Sequence, residues 1–359
     1  MRNNNNGILD RVIVNNDPDF TENSSSDISA TYIVLCTDKP SETGKPMCEY
    51  PICGLSLAEW VAMACDSKPV YITAGENENF LSLIKPYITK TEYTVVLYGN
   101  TPLVSKTHLK DLLEYVSIKR LNVCKLKKGF ILKNEYIIDV DEIYSSLIYD
   151  LASNDFFEVN TLSDVDKIKG VLEKRMFNFH RRNGVFFNNQ ICSTVDANVK
   201  IGEFSKIDSG VSLINGSTLG RNCAIGKNAK ITGSKIGDDV KIGDGTIVSD
   251  SIIKDNNFVG EEVMIKNSVL GNNAIVEFGS RLSSSSLRDK AVIKSFVTID
   301  EGRIGENSII QKHTKILGLT SRVIVGHSSE IGANSELIDC EIDANSFIEN
   351  GTKISSEVN

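Results

Sequence analysis

Long apolar runs are missing from this sequence. No stretch approaches the roughly 20 apolar residues that cross a bilayer, and the opening MRNNNNGILD has no apolar core of signal-peptide length. A cytoplasmic protein with no membrane partner is therefore expected. A basic excess is missing too: 39 Lys and Arg stand against 47 Asp and Glu, a net charge of -8. That balance disfavours nucleic acid as a principal partner and fits a small substrate or another protein. Eight cysteines are scattered without a C-x-x-C pair, so they read as small buried apolar residues of a reducing compartment. Aromatics make up only 7%, whereas Gly, Asn and Ser are plentiful, a balance that favours tight corners over large aromatic cores.

What is present is a period. From Val195 an aliphatic residue returns every six positions (Ile201, Ile207, Leu213, Leu219, Ile225, Ile231) and continues with one-residue slips to Ile316. After one longer step it resumes at Val325 and runs to Ile354. Four residues after each aliphatic comes a small or β-branched residue such as Val199, Ser205, Val211, Cys223, Ala229 or Val240, which shares the inward strand face with the next aliphatic. Three residues after it stands Asn, Gly or Asp, as at Asn198, Gly210, Asn222, Asn228, Asp239, Asn256, Gly302 and Asn334. These residue types tolerate positive φ, so each hexad reads as a short strand and a sharp corner. Three such edges close a coil of about 18 residues, and the stretch predicts a parallel β-helix of roughly nine coils.

A length of 359 residues favours a second domain. Upstream of the repeats, YIVLC, PVYITA and YTVVLYG alternate with helical patterns near Leu57–Cys65 and Asn79–Ile88, which predicts a parallel, doubly wound α/β sheet. Residues 1–30 read as a polar tail with one added strand at Ile8–Val14. The segment Thr161–Arg182 reads as a connecting helix, with Ser163 and Asp166 as its cap and Asn183–Gly184 as its stop.

The junction FFEVNTLSDVDKIKGVLEKRMFNFHRRNGVFFNNQICSTVDANVKIG resembles the domain junction of the bifunctional UDP-N-acetylglucosamine pyrophosphorylase/glucosamine-1-phosphate acetyltransferase family. IVLCTDKPSETGKPMCEYPICGLSLAEWV and VVLYGNTPLVSKTHL are similar to that family's opening strand-loop and metal-site strand. The resemblance implies a nucleotidyltransferase-like (Rossmann-like) α/β domain, truncated, at 31–160, a linker helix at 161–184, and a left-handed β-helix at 185–359. It also implies a homotrimer, a nucleotide sugar or sugar phosphate as ligand, and magnesium and acetyl-CoA as cofactors. Lys45 matches the family's lysine before the sugar-binding stretch, although a lone loop lysine is otherwise a solvated charge. Asn100 stands where the family has a magnesium-binding aspartate, and the second ligand position falls near Ser163 or Asp164.

The family's pyrophosphorylase chemistry needs a Gly-rich loop whose amides approach a triphosphate. Here CTDKPSETGKP offers Gly44 alone, adds Asp38 and Glu42, and loses a donor at Pro40, while Asn100 weakens a hard-cation site. No Gly-Thr-Gly-His-like segment lies between Pro102 and Phe157, and no metal ligand set is expected. Uridylyl transfer is therefore expected to be lost. For acyl transfer the resemblance points to His313 as general base, within QKHTKILG and beside the longer step, with His327 one coil on. The plain alternative is that His313 serves only as a corner residue. Three functions remain open: a divergent sugar nucleotidyltransferase or acyltransferase, a non-catalytic nucleotide-sugar-binding or scaffold paralogue, and a bare structural solenoid.

Overall fold

The apolar run Ala30–Thr37 forms β1, buried on both faces because helices cover each side of its sheet. The computed structural model of the chain describes residues 28–75, 79–143, 148–149, 154–190 and 192–356. The strand expected at Ile8–Val14, and the tail around it, lie outside the described residues. Two units meet between Arg175 and Met176.

In the first unit, β1 is followed by α1 (Leu57–Ala62), β2 (Val70–Ala74), α2 (Phe80–Ile84), β3 (Tyr93–Tyr98) and α3 (Lys106–Ile118). Then come β4 (Val123–Leu126), β5 (Gly129–Lys133), α4 (Asn134–Ile138) and β6 (Ile148–Tyr149), and after them α5 (Leu162–Arg182), whose sequence crosses the boundary between the two units. The strand order is β2-β1-β3-β5-β4-β6. β2, β1 and β3 are parallel, as the alternation of patterns predicts. β5 runs antiparallel to both β3 and β4, so the sheet is mixed and only partly doubly wound. The hairpin β4–β5 escapes notice because KLKKG breaks the apolar pattern with lysines.

Alternation along the strands divides two cores. Tyr32, Val34, Val95 and Leu97 pack with Val61, Leu109 and Leu112 on one side, and Ile33, Ile72 and Val96 pack with Leu81, Ile84 and Ile137 on the other. Helix starts follow side-chain chemistry. Ser56 and Glu59 make a reciprocal capping box at α1, and Ser105 accepts from the His108 amide at α3. The cap of α5 differs from the expected pair. Thr161 Oγ1 accepts from the Asp164 amide at 3.2 Å and Asp164 accepts from the Thr161 amide at 3.1 Å, so Ser163 and Asp166 take no part. Gly184, at φ +79°, ends the helix as expected: its amide bonds Arg181 O and that of Val185 bonds His180 O.

The second unit is the left-handed parallel β-helix, with three faces of 10, 9 and 10 strands. Successive coils are in register at 18 residues (Thr194 with Ser212) and later at 17 (Lys230 with Ile247). One coil takes 21, with Arg303 opposite Ile324, and the extra residues form the loop 318–322. The expected inward positions are buried, from Val199 through Ala229 and Val240 to Ser335, with Ser346 half-buried near the last coil. Beside them Ser217, Ser234, Ser251, Ser268 and Ser285, not singled out from the sequence, form a ladder, each hydroxyl accepting from the amide one coil above, which lets polar side chains sit in the core at little cost. Corners carry positive φ at Gly210, Asn222, Asn228, Asp239, Asn256 and Asn334, as the hexad demands. Asn198 and Gly302 are exceptions. Gly302 is buried in a strand with Ile299 pressed against it, and Glu301 takes the corner at φ +52°.

Candidate functional site

Chain order fixes where a ligand would meet the α/β sheet. β2 lies on one side of β1 and β3 on the other, so the C-terminal ends of β1 and β3 flank a topological switch point, the usual ligand crevice of such sheets. Three segments converge there: the loop 38–46 after β1, Asn100 after β3, and the N-terminus of α5.

The loop folds on itself. Ser41 donates both its amide and its hydroxyl to Lys45 O, at 2.9 and 2.7 Å, and Gly44 at φ +77° makes the turn. Lys45 presents an exposed side chain. From the same loop, Glu42 Oε1 accepts from the Leu162 amide at 2.5 Å, on the first turn of the 21-residue helix α5. Asn100 Nδ2 donates to Asn160 Oδ1 at 2.9 Å, and its carbonyl accepts from the Val159 amide. Asp164 Oδ2 gathers the amides of Asn160 and Thr161, while Lys167 Nζ lies 2.8 Å from its other oxygen. Lys167 first, and then Thr161, hold the Asp164 carboxyl at about 2.

A long helix presents unsatisfied amides and positive potential at its N-terminus, which attracts a phosphate. Here Glu42 and Asp164 already occupy that place. Magnesium does not fit these groups either. Asn100 offers a neutral amide whose nitrogen is turned to Asn160, and both carboxylates are spent on backbone amides and Lys167. Among the described residues no cluster of three His, Cys, Asp or Glu could hold a metal.

The sequence-predicted residues thus separate. Asn100 joins Asp164 through Asn160, whereas Lys45 lies on the loop with its side chain outward. In the β-helix, His313 occupies a corner at φ +61°, its ring stacked on Phe296 at 5.1 Å and 5°. Phe296 in turn meets Phe278 edge-on at 5.3 Å, and a side chain on Gly279 would strike its ring at 2.9 Å. His313 is exposed, and among the described residues no group is hydrogen-bonded to either ring nitrogen. The longer step opens its loop at the far end of strand Lys315–Leu317, where Asp339 accepts from the amides of Leu319, Thr320 and Ser321. His327 is exposed beside Ser328 Oγ at 3.3 Å but is not one coil on from His313 as expected: the register sets it at another corner, above Glu306, and puts Asn334 above His313. Sequence reasoning missed the roles of Glu42 and Asn160 and the aromatic column, although Phe278, Phe296 and His313 recur at 18 and 17 residues, the coil period.

Fold and crevice together define an α/β sheet protein with a hexapeptide-repeat β-helix and a strand-end crevice filled by its own carboxylates. The family model described as GMPPB C-terminal domain matches residues 193–276. Among solved structures the chain is similar to UDP-N-acetylglucosamine acyltransferase from Francisella novicida, at 16% identity and a TM-score of 0.28, covering 47% of this chain and 62% of that one. The chain therefore spans less than two thirds of that relative's length. It is also similar to a mutant of perosamine N-acetyltransferase from Caulobacter crescentus, solved with CoA and GDP-perosamine, at 12% identity and a TM-score of 0.19, covering 77% and 96%. A third is a hexapeptide transferase family protein from Anaplasma phagocytophilum, at 15% identity and a TM-score of 0.14, covering 49% and 80%. No curated protein matches the chain. These structural likenesses are weak, and the fold rests on the coils and strand order described above. No described helix is long and apolar enough to cross a membrane.

Proposed function

We propose that this chain is a divergent relative of the sugar-1-phosphate nucleotidyltransferases that works in nucleotide-sugar metabolism and has lost uridylyl transfer. The observation that carries the loss is Glu42 seated on the Leu162 amide at the start of α5, where a substrate phosphate would need to lie. An anion held there repels a triphosphate, and the residues around it leave no open oxygen set for magnesium. The nucleotide-sugar setting draws support from the match of residues 193–276 to a sugar-nucleotidyltransferase-related family. UDP-N-acetylglucosamine as the ligand, Lys45 and Asn100 as its contacts, a cytoplasmic location and a homotrimer through the β-helix faces follow from the junction motif's resemblance. The test is pyrophosphate release from UTP, magnesium and N-acetylglucosamine-1-phosphate, with none expected above background. Robust turnover would mean that the loop swings Glu42 off the helix and that the reading is wrong.

A second reading, acyl transfer from acetyl-CoA, is favoured by one observation: the His313 ring nitrogens are unclaimed at an exposed corner. A general base needs an orienting partner as well as a free nitrogen, and among the described residues only the Phe296 ring positions this imidazole. Another subunit would have to complete the site. Acetyl-CoA consumption against a panel of amino-sugar acceptors, wild type beside His313→Ala and His327→Ala, decides it. Consumption abolished by His313→Ala alone supports the second reading, and none by the wild type leaves His313 a corner residue in a non-catalytic binding or scaffold paralogue.

A further inference from the structure

The β3 strand end serves a second recess besides the filled crevice. A cleft of about 450 Å³ opens beside Tyr98, lined by Asn79, Phe80, Lys125, Phe130 and Asp141 among others. Its size is that of ordinary small-ligand sites. Three half-buried aromatic rings share it, and Phe80 and Phe130 pack together at 4.9 Å with an interplanar angle of 44°. Lys125 is half-buried at the middle of β4, yet among the described residues its ammonium has neither a carboxylate nor a hydrogen-bond partner. The Tyr98 hydroxyl is likewise without a partner among the described residues. Asp141, held by Lys85 at 3.6 Å, stands at the exposed edge.

The Lys125 ammonium and the Tyr98 hydroxyl keep their polar atoms open to solvent, so both can turn to a ligand in the cleft. Flat apolar rings beside one free cation and one phenol, with the carboxylates of Asp141 and Glu142 at the exposed edge, suit a ligand with a flat heterocycle at one end and an anion at the other, joined by hydroxyls. We propose that this cleft binds the nucleoside-phosphate part of a nucleotide or nucleotide sugar. The base lies against Phe80, Phe130 and Tyr98, a phosphate meets Lys125, and ribose hydroxyls meet Asp141. The inference rests on the nucleotide-sugar reading above. It places binding apart from the strand-end crevice that Glu42 fills, so that binding persists where transfer is lost.

Calorimetric titration of the full chain with UMP, UDP, GMP, AMP, uridine and N-acetylglucosamine-1-phosphate tests it, on wild type, Lys125→Gln, Tyr98→Phe and Glu42→Gln, each first shown to melt as wild type does. The nucleotides are expected to bind more tightly than uridine. Lys125→Gln should weaken them about tenfold while leaving uridine unchanged, since a charge-assisted bond to phosphate is lost, and Glu42→Gln, outside the cleft, should leave this Lys125-dependent binding as it is. Nucleotide binding that ignores Lys125→Gln and Tyr98→Phe but responds to Glu42→Gln would overturn the cleft assignment and leave the nucleotide-sugar reading standing. Binding of the sugar phosphate alone, or of no compound, would overturn both.

Discussion

At the residue scale the most informative titration is that of His180. Burial near Phe179 and Phe187 lowers its pKa from 6.5 to about 4, so the folded protein holds the imidazole neutral. The unfolded chain binds its proton more readily, so this contribution is intact above about 6.5 and is lost as pH falls toward 4. The shift corresponds to roughly 3 kcal/mol. Urea midpoints are expected to fall between pH 6.5 and 4, and His180→Leu should flatten that segment. An unchanged slope in the variant would assign the acid sensitivity elsewhere. Corner residues give a second expectation. Lys290 sits at φ +59° without the tolerance of Asn or Gly, so Lys290→Gly should raise stability by about 1 kcal/mol, read as a higher melting temperature. Gly99 is the opposite case: a methyl there would lie 2.9 Å from Cys36 Sγ and 3.3 Å from Ala58 Cβ.

Among elements, α5 was the easiest to foresee and its cap the easiest to misplace. The apolar residues Val165, Ile168, Leu172 and Met176 at helical spacing marked the helix, and Asn183–Gly184 marked its end. Thr161 and Ser163 both precede an acid by three residues, and sequence alone gave no way to rank them. The geometry ranks them, and Thr161→Ala is therefore expected to cost about 1 kcal/mol while Ser163→Ala costs a few tenths. Equal losses in thermal melts would return the cap to Ser163. The same limit explains the site. Asn100 was legible because its strand motif is local, and Asp164 because it lies in the junction. Glu42 was legible only as an unwelcome charge, since its partner is 120 residues away and no local pattern encodes that meeting. The hairpin β4–β5 was hidden for a related reason: what fixes it is pairing with β3, not its own alternation.

For the whole molecule, the β-helix was legible almost coil by coil because its contacts are short-range and repeat. Each strand pairs only with the coil before and the coil after it. Such arrays behave as chains of nearest-neighbour interactions, so residues 185–359 expressed alone are expected to fold and unfold cooperatively. A fragment lacking β circular dichroism would show that the repeats depend on the upstream residues. Light scattering at micromolar concentration is expected to give three chains per particle, and a monomer would remove the homotrimer proposal.

The 21-residue coil has an engineering consequence. Its extra residues leave the stack at 318–322 and rejoin it in register, with one carboxylate of the following coil, Asp339, collecting three of their amides. The solenoid therefore already carries an insertion that its rise does not feel. Foreign peptide spliced between Thr320 and Ser321 would inherit the same anchorage, which makes this corner a port for an epitope or a fluorophore. A ten-residue tag there is expected to leave the melting temperature within a few degrees of the parent, because loop-closure entropy grows only with the logarithm of length. The same tag spliced into the tight corner at Asn256 should cost far more, since that turn has no slack to take it up.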